Sequence, residues 1–163
     1  MLVDSDKQRV AANFFSYQKF YDYSNEWNIL GLADASLAEQ EEFAASFKPI
    51  LIFLWRQALT FVFPDEAEVY FSLFRTLYAQ GRDQEEMAVL ERALDDISDL
   101  GNNDHGMILL ALRCVNLVDP DAPNKNDMIV SLTERLLHLL ERFAKADNGI
   151  TELEIETLRA RHT

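Results

Sequence analysis

The sequence contains a single cysteine, Cys114, among its 163 residues. One cysteine cannot form a disulfide within the chain, and it cannot supply the several thiolates of a structural zinc site. Glycine and proline are also scarce, with 5 and 4 residues. Because all-β folds need frequent turns, this composition disfavours them. The lack of cysteine pairs fits a reducing compartment, so we expect a cytoplasmic protein.

Basic residues are few relative to acidic ones. The chain has 15 Lys and Arg against 28 Asp and Glu, which gives a formal net charge of −13. Such a chain repels nucleic-acid phosphates and anionic lipid surfaces, so we expect no nucleic-acid partner. Cations and basic protein surfaces match the charge better. Solubility alone is a second explanation for the same charge.

Long hydrophobic runs are absent as well. The most apolar segment covers residues 50–63, and Arg56 and Gln57 interrupt it. It is shorter than the roughly 20 apolar residues that span a bilayer. The segment therefore predicts a buried helix, and we do not expect an integral membrane protein. Residues 1–7 also lack the basic-then-apolar pattern of a signal peptide.

The apolar residues that are present follow a helical spacing. They make up 48% of the chain, and no segment alternates with period two for long enough to predict a strand. We predict a single all-α domain over residues 1–163, a bundle of about seven or eight helices. The N-terminal or regulatory domain of a larger protein is an alternative. The expected helices cover residues 6–30, 36–47, 50–63, 66–80, 84–100, 106–117, 127–145 and 151–161, with Pro49 either kinking the second or starting the third.

Two short stretches share an acidic pattern. Residues 33–41 and 146–154 both read Ala-Asp, two turn-like residues, an aliphatic residue, one residue, Glu, one residue, Glu. Hard divalent cations take oxygen ligands from carboxylates and carbonyls. If the two turns meet in space, they predict a site for Ca²⁺ or another divalent cation. The candidate ligands are Asp34, Glu39, Glu41, Asp147, Glu152 and Glu154.

Helix capping explains the same residues without a metal. Ser36 with Glu39, and Thr151 with Glu154, have the spacing of a capping box. Acidic side chains in the first turn of a helix are also stabilised by its dipole, typically by ~0.3–1 kcal/mol. Metal binding and capping therefore both remain open at this point.

The second stretch resembles a turn of a known family. Residues 147–151, Asp-Asn-Gly-Ile-Thr, followed by Glu154, resemble the Ala-Asp-Gly-x-Ile-x-x-x-Glu turn of TerB-like, tellurite-resistance-associated domains. The resemblance implies an all-helical, non-enzymatic domain with an acidic, calcium-binding site in a stress-response or membrane-associated assembly. By position, Asp34 and Asp147 match the family aspartate, and Glu41 and Glu154 match the following glutamate. The first copy departs from the pattern because it has no glycine.

The remaining polar motifs give little support for catalysis. Residues 102–106, Asn-Asn-Asp-His-Gly, place His105 where it could act as a general base. No nucleophile or acidic partner is tied to it by spacing, and Cys114 lies among aliphatic residues that predict a core position. We expect a non-catalytic helical interaction domain that binds a protein partner with a basic surface. A metal-independent adaptor or scaffold is the alternative to the cation-binding form.

The cation hypothesis predicts a stabilisation by metal. Adding Ca²⁺ to chelator-treated protein should raise its unfolding free energy by about 2.7 kcal/mol at 100 times the dissociation constant, because only the folded state binds the ion. Thermal unfolding measures this shift. The double substitution of Asp34→Ala with Asp147→Ala should abolish it, and an unchanged melting temperature in the wild type would leave both turns as helix caps.

Overall fold

The computed structural model describes residues 4–144, with side-chain burial from residue 6 onward. Seven α-helices and no strand occupy this part of the chain, which confirms the predicted all-α class. The predicted helix at 151–161 and the second acidic turn lie outside the described residues. The helices are α1 Asp4–Lys19, α2 Ser24–Leu30, α3 Leu37–Val62, α4 Ala67–Ala79, α5 Gln84–Gly101, α6 Gly106–Val118 and α7 Lys125–Ala144.

The segment predicted as one helix over residues 6–30 is two helices, so that prediction was wrong. The break lies between Lys19 and Ser24. The carboxylate of Asp22 accepts hydrogen bonds from the backbone N–H and the hydroxyl of Ser24, at 3.0 and 2.5 Å. A side-chain acceptor at this place satisfies backbone donors at the start of a helix, and it therefore favours a new helix over continuation of the old one.

Helix α3 is continuous through Pro49, which does not start a new helix. A proline inside a helix removes one backbone hydrogen bond and costs about 3 kcal/mol. The residues that follow it offset this cost by burial, since Ile50, Leu51, Leu54 and Trp55 are at most 1% exposed. The prediction of a buried helix here is confirmed as far as Leu59. No helix in the described part of the chain is both long enough and apolar enough to cross a membrane.

The chain forms two compact units, and the first has an aromatic core. Its described residues are 4–21, 54–91 and 140–144. The ring of Phe14 stacks on Trp55, with 4.2 Å between centroids and 2° between planes. Phe74 and Phe143 pack against Phe14 at 5.3 and 5.8 Å. Phe14 and Tyr17 of α1 are buried, as is Tyr21 just after it, so the aromatic side chains of this segment form the core of the unit.

The second unit comprises residues 22–53 and 92–139. Two glycines lie at the connection between α5 and α6: Gly101 ends α5 and Gly106 begins α6. A Cβ atom on Gly101 would overlap the ring of Phe53, and one on Gly106 would overlap the carbonyl oxygen of Gly101. Both positions therefore require glycine for close approach of the neighbouring atoms.

A buried ion pair joins α2 to α7 in this second unit. The side chain of Glu26 is fully buried and that of Arg135 is 16% exposed, and Arg135 Nε donates to Glu26 Oε2 at 3.1 Å. Removing one partner of a buried pair leaves an uncompensated charge in the interior, typically at a cost of about 3–5 kcal/mol. The pair therefore ties residues that are 109 positions apart in sequence.

We predict that Arg135→Met lowers the unfolding free energy by about 3 kcal/mol, because it removes the guanidinium that donates to the buried Glu26 carboxylate. Urea unfolding at neutral pH measures the loss. Arg9→Met is the matched control, since Arg9 is exposed and pairs with a half-buried Asp6, and this pair should contribute less than about 1 kcal/mol. Adding Glu26→Gln to Arg135→Met should restore part of the loss. Equal effects of the two single arginine substitutions would contradict this account.

Candidate functional site

The first acidic turn begins at the end of α2. Gly31 adopts the left-handed conformation, with φ at +73°, and closes the helix. The backbone N–H of Leu32 then donates to the carbonyl of Trp27 at 2.8 Å. Glycine adopts positive φ without steric cost, so this position reverses the chain toward α3.

The side chain of Gln40 holds this turn against α3. Its Nε2 donates to the carbonyl oxygens of Leu32 and Ala33, at 2.9 and 3.2 Å. The Leu32 oxygen also accepts the backbone N–H of Ala35 at 3.1 Å. A carbonyl oxygen has two lone pairs, and both are used here. The Leu32 carbonyl is therefore not available as a ligand for a cation.

Ser36 caps the next helix, as predicted. Its hydroxyl oxygen accepts the backbone N–H of Glu39 at 3.2 Å. Asp34, Glu39 and Glu41 are all exposed. Glu39 and Glu41 lie two residues apart in a helix, so their side chains leave it in directions about 200° apart. The three carboxylates of the first turn therefore do not converge on one point.

No group of three or more potential metal ligands forms within residues 4–144. Asp147, Glu152 and Glu154 lie outside the described residues, so the site that pairs both turns stays a prediction. Of the three candidate ligands in the described part of the chain, Glu39 lines a cavity.

That cavity, called the acidic groove below, lies in the second unit. Its volume is about 250 Å³. Its walls are the start of α3 and the end of α6, together with the turn before α3. The lining residues are Leu32, Glu39, Glu42, Phe43, Ser46, Leu117 and Val118.

The acidic groove combines buried apolar residues with exposed ones. Leu32 and Phe43 are only 6% and 5% exposed, whereas Leu117 is 58% exposed. Pockets for small molecules and cofactors usually measure roughly 300–1,000 Å³. The groove is smaller than that range, so its size suits one long side chain better than a complete cofactor.

The charge of the acidic groove has one sign. Glu39 and Glu42 are three residues apart on α3 and so lie on the same face of the helix. The lining includes no basic residue, and the ion pairs found among the described side chains do not involve either glutamate. Two carboxylates beside an apolar wall favour a ligand that has a cationic head and an apolar stem.

Sequence reasoning missed most of the groove. The spacing of Glu39, Glu42, Phe43 and Ser46 is i, i+3, i+4, i+7, which marks one helix face and could have been found. The opposite wall could not. Leu117 and Val118 reach the groove only through the packing of α6, and no local pattern relates them to the acidic turn.

The two other reactive side chains considered from sequence are placed differently. His105 is exposed at the start of α6, and its backbone N–H donates to the Asn103 side-chain oxygen at 3.3 Å. Cys114 is 2% exposed, which confirms its predicted core position. Burial raises the pKa of its thiol to about 12, so the reactive thiolate is scarce at neutral pH.

Comparison with known proteins returned no match to a protein-family model, a curated protein or a solved structure. The resemblance to TerB-like domains therefore stays a prediction that rests on the residues quoted for it.

We predict that Gln40→Ala lowers the unfolding free energy by about 1–2 kcal/mol, because the carbonyls of Leu32 and Ala33 lose the hydrogen bonds from the Gln40 amide. Chemical unfolding measures the loss. Glu41→Ala is the matched control: it is the next residue on the same helix, it is exposed, and it should change stability by less than about 0.5 kcal/mol. A neutral Gln40→Ala would show that the turn is held by other contacts.

Proposed function

We propose that the protein is a non-catalytic helical interaction domain whose acidic groove binds a basic side chain of a partner protein. One observation carries this proposal. Two carboxylates, Glu39 and Glu42, border a cavity of about 250 Å³ whose other walls are mainly apolar. The cavity is a concave surface with a defined charge.

A basic side chain fits both parts of this surface. Lysine and arginine bury their aliphatic stems along apolar residues while the charged head stays at the edge. Leu117 and Val118 offer such an apolar wall, and Glu39 and Glu42 offer acceptors for charge-assisted hydrogen bonds. These bonds are about twice as strong as neutral ones, and they are less screened in a recess than on an open surface.

One anchored side chain gives only weak affinity. A dissociation constant of 1 mM corresponds to about −4.1 kcal/mol, which is a plausible scale for a single contact of this kind. Tighter binding requires the residues that flank the anchor on the partner. The net charge of −13 then increases the rate at which a basic segment arrives, without specifying where it binds.

The kind of partner, the cellular location and the assembly are each inferred from a different observation. A protein partner with a basic surface is favoured by charge, and a metal-independent adaptor is the form of the hypothesis that the groove supports. A cytoplasmic location is inferred from cysteine content. The stress-response or membrane-associated assembly is supported only by the TerB-like resemblance.

We predict that a short basic peptide binds at the acidic groove. Amide chemical shifts in a ¹⁵N-labelled protein should change on titration with acetyl-Leu-Lys-Leu-Arg-amide, with the largest changes near Glu39, Glu42 and Val118. A chelator is present throughout, so that metal is not required. The double variant Glu39→Gln with Glu42→Gln should weaken binding at least about tenfold, which corresponds to 1.4 kcal/mol.

Glu41→Gln provides the matched control for charge. It removes one negative charge from the same helix but on a different face, so it should change the dissociation constant by less than about twofold. Equal weakening by Glu41→Gln and by the groove variants would show that net charge, and not the groove, attracts the peptide. Shift changes centred elsewhere would reject the groove as the site.

A further inference from the structure

We infer that residues 155–161 of this chain dock on an apolar surface of the first unit, called the apolar corner below. The corner lies at the connection between α3 and α4 and consists of Phe61, Val62, Phe63 and Pro64. The segment that docks there follows α7 and is outside the described residues. The corner is distinct from the acidic groove, which belongs to the second unit.

The apolar corner exposes large apolar side chains. Phe61 is 81% exposed, the highest value for a large apolar side chain in the described part of the chain. Val62 and Phe63 are partly buried, and Pro64 is exposed. One exposed apolar residue is common on a protein surface, but four in succession form a patch that favours a contact.

The apolar corner is also concave. Its lining residues Phe63 and Pro64 border a cavity of about 190 Å³. The ring of Phe63 stacks on the buried ring of Tyr70, with 4.9 Å between centroids, so the core of the unit holds this wall in place. The cavity is smaller than the roughly 300–1,000 Å³ of small-molecule sites, and it therefore suits single side chains better than a cofactor.

The edge of this cavity is acidic. Asp65 and Glu66 complete its lining. Glu66 pairs with Lys7 at 3.3 Å, whereas Asp65 is exposed and takes part in none of the ion pairs found among the described side chains. The apolar corner therefore suits an aliphatic side chain that is followed in its own sequence by a basic one.

The sequence beyond α7 has this order. Ile155 and Leu158 are three residues apart, so the helix predicted over residues 151–161 would place them on one face. Arg159 and Arg161 follow them, and residues 157–163 include no acidic residue. The two aliphatic side chains match the apolar part of the corner, and the two arginines match Asp65.

The end of α7 is close enough for this contact. The ring of Phe143 lies 5.8 Å from that of Phe14, which lies 4.2 Å from Trp55. Trp55 precedes Phe61 on α3 by six residues, a rise of about 9 Å. An extended chain covers about 3.3–3.6 Å per residue, so the residues from the end of α7 to Ile155 can span roughly 35 Å. The segment can therefore reach the corner while every helix stays in place.

A second copy of the apolar corner is a poorer occupant. In a two-fold dimer the same patch of each copy would face the other, which would bring acidic side chains of like charge together. The segment with two arginines neutralises that charge instead. A segment of the same chain is also present at a high effective concentration, so a weak contact is enough to keep it docked.

Paramagnetic broadening shows where the segment lies. Thr163→Cys in the intact chain provides a thiol for a nitroxide label, while Cys114 stays unlabelled because it is buried and its thiol pKa is raised to about 12. In ¹⁵N-labelled protein we expect the strongest broadening, relative to the reduced nitroxide, at the amides of residues 60–66. Broadening centred elsewhere, or none, would overturn the inference.

A mixed sample shows which molecule supplies the segment. Nitroxide-labelled protein without ¹⁵N is mixed with ¹⁵N-labelled protein without nitroxide. Docking within one chain predicts no broadening at residues 60–66 in this mixture. Broadening there would mean that a second copy supplies the segment, and it would overturn docking within the chain.

Phe61→Asp tests the contribution of the apolar corner. Phe61 is 81% exposed, so we expect the variant to fold as the wild type does. Trypsin cleaves after Arg159 and Arg161 when the segment is undocked, and mass spectrometry follows the loss of these residues. Cleavage should become about tenfold faster, which corresponds to about 1.4 kcal/mol, because the aliphatic side chains lose their apolar contact.

Phe20→Asp is the matched control. Phe20 is also in the first unit and 50% exposed, but it lies outside the apolar corner, so its substitution should change the cleavage rate by less than about twofold. A rate that Phe61→Asp leaves unchanged, or that both variants raise equally, would overturn the inference.

Discussion

The rotation of about 100° per residue along α3 determines which of the acidic residues lie together. It separates Glu39 from Glu41, and it places Glu39 beside Glu42, Phe43 and Ser46. The register of this helix is set at its beginning by the Ser36 cap and the Gln40 contacts, and farther on by the buried residues from Ile50 onward. A pattern that looks like one acidic cluster in the sequence is therefore divided between two faces in the structure.

Features of the fold that depend on neighbouring residues could be predicted from the sequence. The all-α class and most helix ends were accessible, because they depend on local chemistry. Asp83 accepts the backbone N–H of Glu86 at 2.8 Å at the start of α5, and Gly81 takes a φ of +76° just after α4. The cap at Ser36 was accessible for the same reason. The break at Asp22 was missed because the apolar spacing continues across it, and the hydrogen bonds from Ser24 to the Asp22 carboxylate leave no mark in that spacing.

The candidate site could be predicted only in part. Glu39 was identified from the sequence as one of several candidate metal ligands, but its place beside Glu42 in a cavity was not. The cavity also requires α6, whose Leu117 and Val118 lie far from α3 in the sequence. Contacts of that kind are decided by tertiary packing. The buried pair of Glu26 and Arg135 belongs to the same class, since neither residue has a local sign that it is buried or paired.

The position of a bound basic side chain tests the central claim most directly. Intermolecular nuclear Overhauser effects can be measured between the side-chain methylene protons of an arginine probe and the methyl groups of the protein. Our account predicts contacts to Leu32, Leu117 and Val118, whose methyl groups line the acidic groove beside the two glutamates. Contacts to methyl groups outside this set, at probe concentrations that saturate the shift changes, would contradict it.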